Sequence, residues 1–215
     1  MKFVITTILT GKIAPFKADE ATSAIHKLPV SGQVRIGPLG LEGDEQADQV
    51  NHGGVDKAIH HYPADHYPYW QGRLGDLPLL HGPGAFGENI STFGVTETDV
   101  CLGDRLRLGT SLVEVSQGRQ PCWKLDHRFA TKGVLADVVE SGRAGWYYRV
   151  LEPGMVQAGD ALSIVERRYP DWPVARVFAL LIGGQAKASP SALHDLQRVP
   201  VLAQSWKRRL EKLLG

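Results

Sequence analysis

Cysteine is nearly missing from this chain: Cys101 and Cys122 are its two thiols in 215 residues. Two cannot build a disulfide framework, and they fall short of the four thiolates that an all-cysteine iron–sulfur cluster needs. A reducing cytoplasm is the expected compartment. Net charge is nearly missing too, with 24 Lys and Arg against 23 Asp and Glu. That balance argues against a broad footprint for duplex nucleic acid and against a polybasic membrane anchor. The apolar run at the N-terminus stops at Thr10, Gly11 and Lys12, far short of a membrane span and with no cleavage site behind it. It is read as a first strand, and no membrane association is expected. Three motifs are absent: C-x-x-C and H-E-x-x-H, which would signal zinc, and the G-x-S-x-G nucleophile elbow. An ordinary nucleotide site is likewise unsupported, because G-x-x-x-x-G-K-[ST] does not occur.

Glycine and proline are plentiful, 24 and 13, which implies many turns and short strands rather than a helical bundle. The chain is organised around V-E-V-S-Q-G-R-Q-P-C-W-K-L, Val113 to Leu125. Val113 and Val115 alternate with Glu114 and Ser116 as on a half-buried strand, and Gly118 and Pro121 end it. Cys122 follows, with Arg119 three residues before and Lys124 two residues after. Fixed cations stabilise a thiolate, which can attack an electrophile, carry sulfur or hold a soft metal. A small buried residue that merely packs is the plainer alternative.

Strands are expected at Phe3–Leu9, about 33–36, up to Pro63, from Thr96 through Gln117, at Tyr147–Leu151 and at 161–167. Residues 14–24 read as a polar loop, 64–74 as a short helix with Tyr67 and Trp70 on one face, and 126–141 as one helix stopped by Gly142. Gly103-Asp104 and Gly159-Asp160 each precede an alternating strand, so both aspartates read as turn residues. Tyr169–Pro173 is a linker, with Asp171 as a helix N-cap and Pro173 in the first turn. Helices are expected at 174–182, 191–198 and 201–214. The last carries Leu202, Trp206, Leu210 and Leu213 on one side, and Lys207, Arg208, Arg209 and Lys212 on the other. The organisation is a β-rich domain over 1–168 and a helical module over 169–215.

Two further clusters could carry chemistry. His52, His60, His61 and His66 form the first; on a strand His60 and His61 face opposite sides, so at most one joins His52. The second comprises the glycine loops 40–43, 53–54 and 82–89, whose backbone N–H groups could meet an anion but which as plain turns need no ligand.

Taken together, L-E-G-D-E-Q-A-D, N-H-G-G-V-D-K-A-I-H-H-Y-P, F-G-E-N-I, the Cys122 motif and G-W-Y-Y-R-V-L-E-P-G-M-V-Q-A-G-D resemble the MOSC domain family, and within it the YiiM-like branch, over residues 1–168. The helical tail resembles that branch's C-terminal three-helix module. The resemblance implies a mixed, β-barrel-like fold with a few helices, and binding of the molybdenum cofactor, a dithiolene pterin, rather than pyridoxal phosphate. Carried over by motif position, Cys122 is the molybdenum ligand, Arg119 and Lys124 face the cofactor, and Asp56 and Asn89 line its pocket. The resemblance also implies reduction of N-hydroxylated compounds, of the 6-hydroxylaminopurine resistance type, with His52 or His60 as proton donor. With no iron–sulfur motif, a separate flavin or iron–sulfur reductase is expected as electron donor. The rival reading is a cofactor carrier or sulfur-transfer protein working through a Cys122 persulfide. One departure is Gly118, where relatives often carry proline; it is expected to loosen the approach to Cys122.

Overall fold

The computed structural model describes residues 2–17, 21–49 and 52–215. Its strands are β1 (Lys2–Gly11), β2 (Ala14–Pro15), β3 (Thr22–Ser23), β4 (Lys27–Pro29), β5 (Val34–Gly37), β6 (Gly40–Leu41), β7 (Ile59–Pro63), β8 (Ile90–Thr92), β9 (Arg105–Leu108), β10 (Ser111–Gly118), β11 (Trp146–Glu152), β12 (Gly154–Val156) and β13 (Ala161–Glu166). The helices are α1 (Tyr67–Leu74), α2 (Lys124–Arg128), α3 (Val134–Ser141), α4 (Val174–Leu181), α5 (Pro190–Gln197) and α6 (Gln204–Leu214). In the sheet β13-β9-β10-β11-β7-β8-β1, the pairing of β1 with β13 closes a seven-stranded barrel, as the mixed β-rich reading expected. Neighbours are antiparallel except β7 and β8, which run parallel because the chain crosses over through α1 between them. The polar loop expected over 14–24 contains the small β2–β3 ribbon; its residues 18–20 lie outside the described set.

Period-2 alternation sorts the barrel's side chains. On β11, Trp146 and Tyr148 are buried in the core, and their cross-strand partners on β7 are His61 and Ile59. His61 lies among them, its Nδ1 at 3.0 Å from the Tyr148 hydroxyl and its Nε2 at 2.8 Å from Thr92 Oγ1. Burial pushes its pKa down to about 3. His60 pairs with Tyr147 on the opposite side, as the alternation required. β1 breaks this pattern: a register shift between Ile5 and Thr7 explains why Ile5 and Ile8, three residues apart, are both fully buried. Asp104 and Asp160 are turn residues, their Oδ2 atoms each accepting from the backbone N–H three residues back, Cys101 and Gln157.

Several local expectations are corrected by tertiary contacts. β10 is not half-buried, since Val113 through Gly118 are all buried. Its outer face is covered, with Ser116 Oγ donating to Asp56 O at 2.6 Å and Gln117 Oε1 accepting from Ser205 Oγ at 2.6 Å. Gly118 does not loosen anything: a Cβ there would stand 2.9 Å from the Trp206 ring and 3.2 Å from Val174, so the bare backbone is what lets the tail pack close. The single helix expected over 126–141 is two, broken where Ala130 and Gly133 take φ of 48° and 95°. Asp126 then serves the second helix, accepting from Gly133 N and Leu135 N at 3.2 and 2.8 Å.

Asp171 does not cap α4. Pro173 holds that position without a side-chain cap, and the first helical N–H groups of Val174 and Ala175 donate to the carbonyls of Val100 and Glu97. Leu213 is 40% exposed, whereas Leu202, Trp206 and Leu210 are buried. The tail's Val174, Val177 and Trp206 belong to the same apolar core as the barrel's Val113 and Val115. Among the described residues no helix is long and apolar enough to cross a membrane.

Candidate functional site

Where β10 leaves the barrel, Gly118 leads through Arg119 and Pro121 to Cys122, ahead of α2. Cys122 is a free, partly buried thiol. It opens onto a cleft shared with His52, His60, Asn89, Arg119 and Lys124. The structure therefore gathers segments that are widely separated in sequence. It adds Lys27, Lys57, Asp48 and Tyr147, which the sequence reading had not singled out. Asp48 lies within L-E-G-D-E-Q-A-D, but Lys27 opens β4, outside every motif. Its role appears only when Asp44 pairs with it at 2.5 Å, both side chains buried.

The charge of the lining is one-sided: Lys27, Lys57, Arg119 and Lys124 face Glu45 and Asp48. Burial lowers the pKa of Lys27, with Asp44 working against that shift. Lys124 is nearly buried and its Nζ donates to Thr22 O at 3.2 Å, which ties α2 to the β2–β3 ribbon. Arg119 is 5% exposed; its N–H donates to Gly145 O at 2.9 Å and its Nη2 to Phe86 O at 3.4 Å. Its Nη1 is buried with no hydrogen-bond partner. A buried guanidinium nitrogen without an acceptor is costly, and an anionic ligand would supply the missing one.

Cys122 is tuned by its neighbours. Burial pushes its pKa up, but a hydrogen bond from His52, the charge of Arg119 and the N–H of Lys124 outweigh it, leaving the thiol at about 7 instead of 9. His52 is itself oriented, its Nδ1 donating to Asp48 Oδ2 at 3.2 Å. His60 is held neutral, first by burial and then by the charge of Arg119. Cys101 is the opposite case: burial pushes it up to about 11, and its thiol reaches only Pro170 O.

Asn89 lines the cleft but is occupied as a strut. Its Oδ1 accepts from His60 N at 3.0 Å, and its Nδ2 donates to Leu9 O and Asp44 Oδ2. The neighbouring loop has the spacing Gly82, Gly84, Gly87, a G-x-G-x-x-G run, yet it leads into strand β8 rather than a helix. The buried Glu88 carboxylate takes up the N–H groups of Gly84 and Phe86 at 2.6 and 3.1 Å, so these two are not left for a phosphate.

Asp56 is not brought together with the others. Its Oδ1 accepts from Arg149 at 2.8 Å and its Oδ2 from Gln204 N, the first N–H of α6, at 3.1 Å. It caps the tail helix from outside. Asp56→Ala is expected to cost about 2 kcal/mol, the worth of hydrogen bonds to a charged group, and so lower Tm by roughly 6 °C. An unchanged melting curve by circular dichroism would refute that role.

The fold and this cleft define a closed-barrel protein that presents one activated thiol among cations. The chain belongs to the MOSC domain family, whose model matches residues 48–163, a family associated with the molybdenum cofactor. It is 39% identical to Protein YiiM of Escherichia coli strain K12 over 205 residues, covering 95% of this chain and 90% of that one. A protein of Gibberella moniliformis named Reductase is 43% identical over 159 residues, 74% of this chain but 28% of that one. Among solved structures, YiiM from Geobacillus stearothermophilus superposes with a TM-score of 0.83 at 34% identity, covering 99% of this chain and all of that one.

Proposed function

We propose that this protein is a molybdenum-cofactor-dependent reductase of N-hydroxylated compounds, with Cys122 as the thiolate ligand to the metal. The observation that carries the reading is Cys122 itself, a thiol brought to about 7 in a cleft whose lining is cationic. The residues fit the group: a soft thiolate suits a metal already bound by sulfur, and the unpartnered Nη1 of Arg119 suits an anionic phosphate. When bound, the cofactor supplies two-electron reduction with acceptance of oxygen from an N–O bond. The balance is R–NH–OH plus two electrons and two protons giving R–NH2 and water.

The chain's own groups do the rest. Arg119, Lys124 and Lys57 hold negative charge in the cleft. His52, whose Nδ1 donates to Asp48 and which also hydrogen-bonds Cys122, serves in this reading as the proton donor to the leaving oxygen. His60 is buried and neutral, and forms part of the wall against Tyr147 at a ring separation of 5.0 Å. Two free thiols, one of them activated, also suit a reducing cytoplasm. The Reductase name of the fungal relative supports the same direction.

The test is molybdenum per chain for the wild type and Cys122→Ala, both from a cofactor-producing host, followed by turnover of 6-hydroxylaminopurine with reduced methyl viologen. Near-stoichiometric metal in the wild type is expected, with at least about a tenfold loss in the variant. Equal metal in both would remove the thiolate from the reading. The second reading, sulfur transfer through a Cys122 persulfide, is favoured by one feature, an imidazole backed by a carboxylate against a thiol. It predicts a stable 32-dalton (roughly one sulfur atom) mass gain at Cys122 after incubation with a sulfane donor, and no N–O turnover.

A further inference from the structure

The four cations of α6 divide by what they touch. Lys207 Nζ donates to Pro200 O at 2.8 Å and Arg209 Nε donates to Leu181 O, so both fasten the helix to its own module. Arg208 and Lys212 are exposed, one turn apart, and make no hydrogen bond or ion pair among the described residues. They belong to a charge asymmetry of the whole chain. Residues 169–215 carry seven Lys and Arg against three Asp and Glu, whereas residues 1–168 carry 17 against 20.

Position gives the asymmetry a use. The first turn of α6 is clamped beside the cleft by Gln204 N on Asp56 and by Ser205 Oγ on Gln117. Asp56 adjoins Lys57, which lines the cleft, and Arg208 stands one turn beyond Gln204. The Arg208 charge is near enough to disfavour the charge on Lys57. Asp48 and Asp56 offset that effect at Lys57, but Arg208 and Lys212, four residues apart on one helix, repel each other unless something negative approaches them. A phosphate site would need buried, converging donors; Arg208 and Lys212 are solvated and stand in a row along a helix, which suits a protein surface.

We propose that Arg208 and Lys212 form the docking face for an acidic redox protein that delivers electrons to the cleft. The inference rests on the reductase reading, which consumes two electrons per turnover. The sequence offers neither the four cysteines of a cluster nor another evident relay. A donor must therefore come close to the cleft, and α6 starts against Asp56, the chain neighbour of the cleft-lining Lys57.

The test compares wild type with Arg208→Glu/Lys212→Glu as cofactor-loaded protein, using a reduced acidic flavodoxin and, separately, reduced methyl viologen. Calorimetric binding of the flavodoxin is expected to weaken about tenfold at low ionic strength, and the gap to close near 0.5 M salt (roughly) as screening takes over. KM for flavodoxin should rise with kcat unchanged, and viologen-driven turnover should not move. Equal flavodoxin affinity in the two proteins overturns the proposal, as does a wild type that uses viologen but binds no flavodoxin. A higher KM for a hydroxylaminopurine nucleotide with viologen as donor would assign the cations to substrate phosphate and overturn it as well. Charge-dependent flavodoxin binding without viologen turnover keeps the docking face and removes the reductase reading.

Discussion

In the cofactor-free chain, Cys122 is expected to be alkylated by iodoacetamide with a pH midpoint near 7, and His52→Ala to move that midpoint upward. Only the thiolate reacts, so the rate follows its fraction and rises with pH through the midpoint. At pH 7 about half of a thiol with pKa 7 is ionised, against about one per cent at pKa 9. Intrinsic nucleophilicity falls as pKa falls, with a slope of about 0.4–0.5, which offsets close to tenfold of that gain. The midpoint, rather than the rate at one pH, is therefore the decisive quantity. Burial pushes Cys122 upward and is overcome by His52, Arg119 and the Lys124 N–H together. Removing the hydrogen bond from His52 leaves burial opposed by less, hence the upward direction. A midpoint unchanged in His52→Ala would mean that Arg119 and the backbone suffice. Cys101, pushed up to about 11 and buried, serves as the internal comparison and should stay unlabelled.

Gly145→Ala is expected to lower Tm by roughly 10 °C, from a cost of about 3 kcal/mol made up of left-handed backbone strain and overpacking. Gly145 has φ of +73°, and an added Cβ would stand 2.3 Å from His61 O and 2.9 Å from His60 Nε2. The position is pinned from both sides, its N–H donating to the buried Glu97 at 2.6 Å and its carbonyl accepting from Arg119 N at 2.9 Å. A displaced Gly145 would therefore carry Arg119 and the histidine wall with it, so ligand binding should fail alongside stability. Gly142→Ala separates the two contributions. Its φ is +70° but the added Cβ meets open space, so it should cost about 1 kcal/mol, or roughly 3 °C. Equal losses at the two positions would refute the packing part of the argument.

Much of the barrel was legible because two-residue alternation survives wherever a strand has one face on the core. His61 against His60 follows from that period alone, and Trp146 and Tyr148 against Tyr147 and Arg149 obey it, although the strand was expected to begin only at Tyr147. Alternation failed on β10, where Glu114 and Ser116 read as outward and solvated, because the tail and the turn bearing Asp56 cover that face. The start of α6 was misplaced for a related reason. Its N–H is capped by Asp56, a residue 148 positions away, and no local pattern records such a partner.

The sequence by itself determined the strand-rich class, the β-turn roles of Asp104 and Asp160, and the thiol that stands between Arg119 and Lys124 in the chain. These depend on side-chain period and on neighbours within a few residues. Only the tertiary structure decided which charged residues share the cleft. Asp56, beside Lys57 in the chain, turns instead to Arg149 and α6, and Lys27 comes in from the start of β4 to meet Asp44. It also split the basic face of α6 into two anchored cations and two that are not anchored. Charge pairing over such separations is set by where the folded backbone brings the groups and by how much water it leaves around them, and neither is written in local sequence.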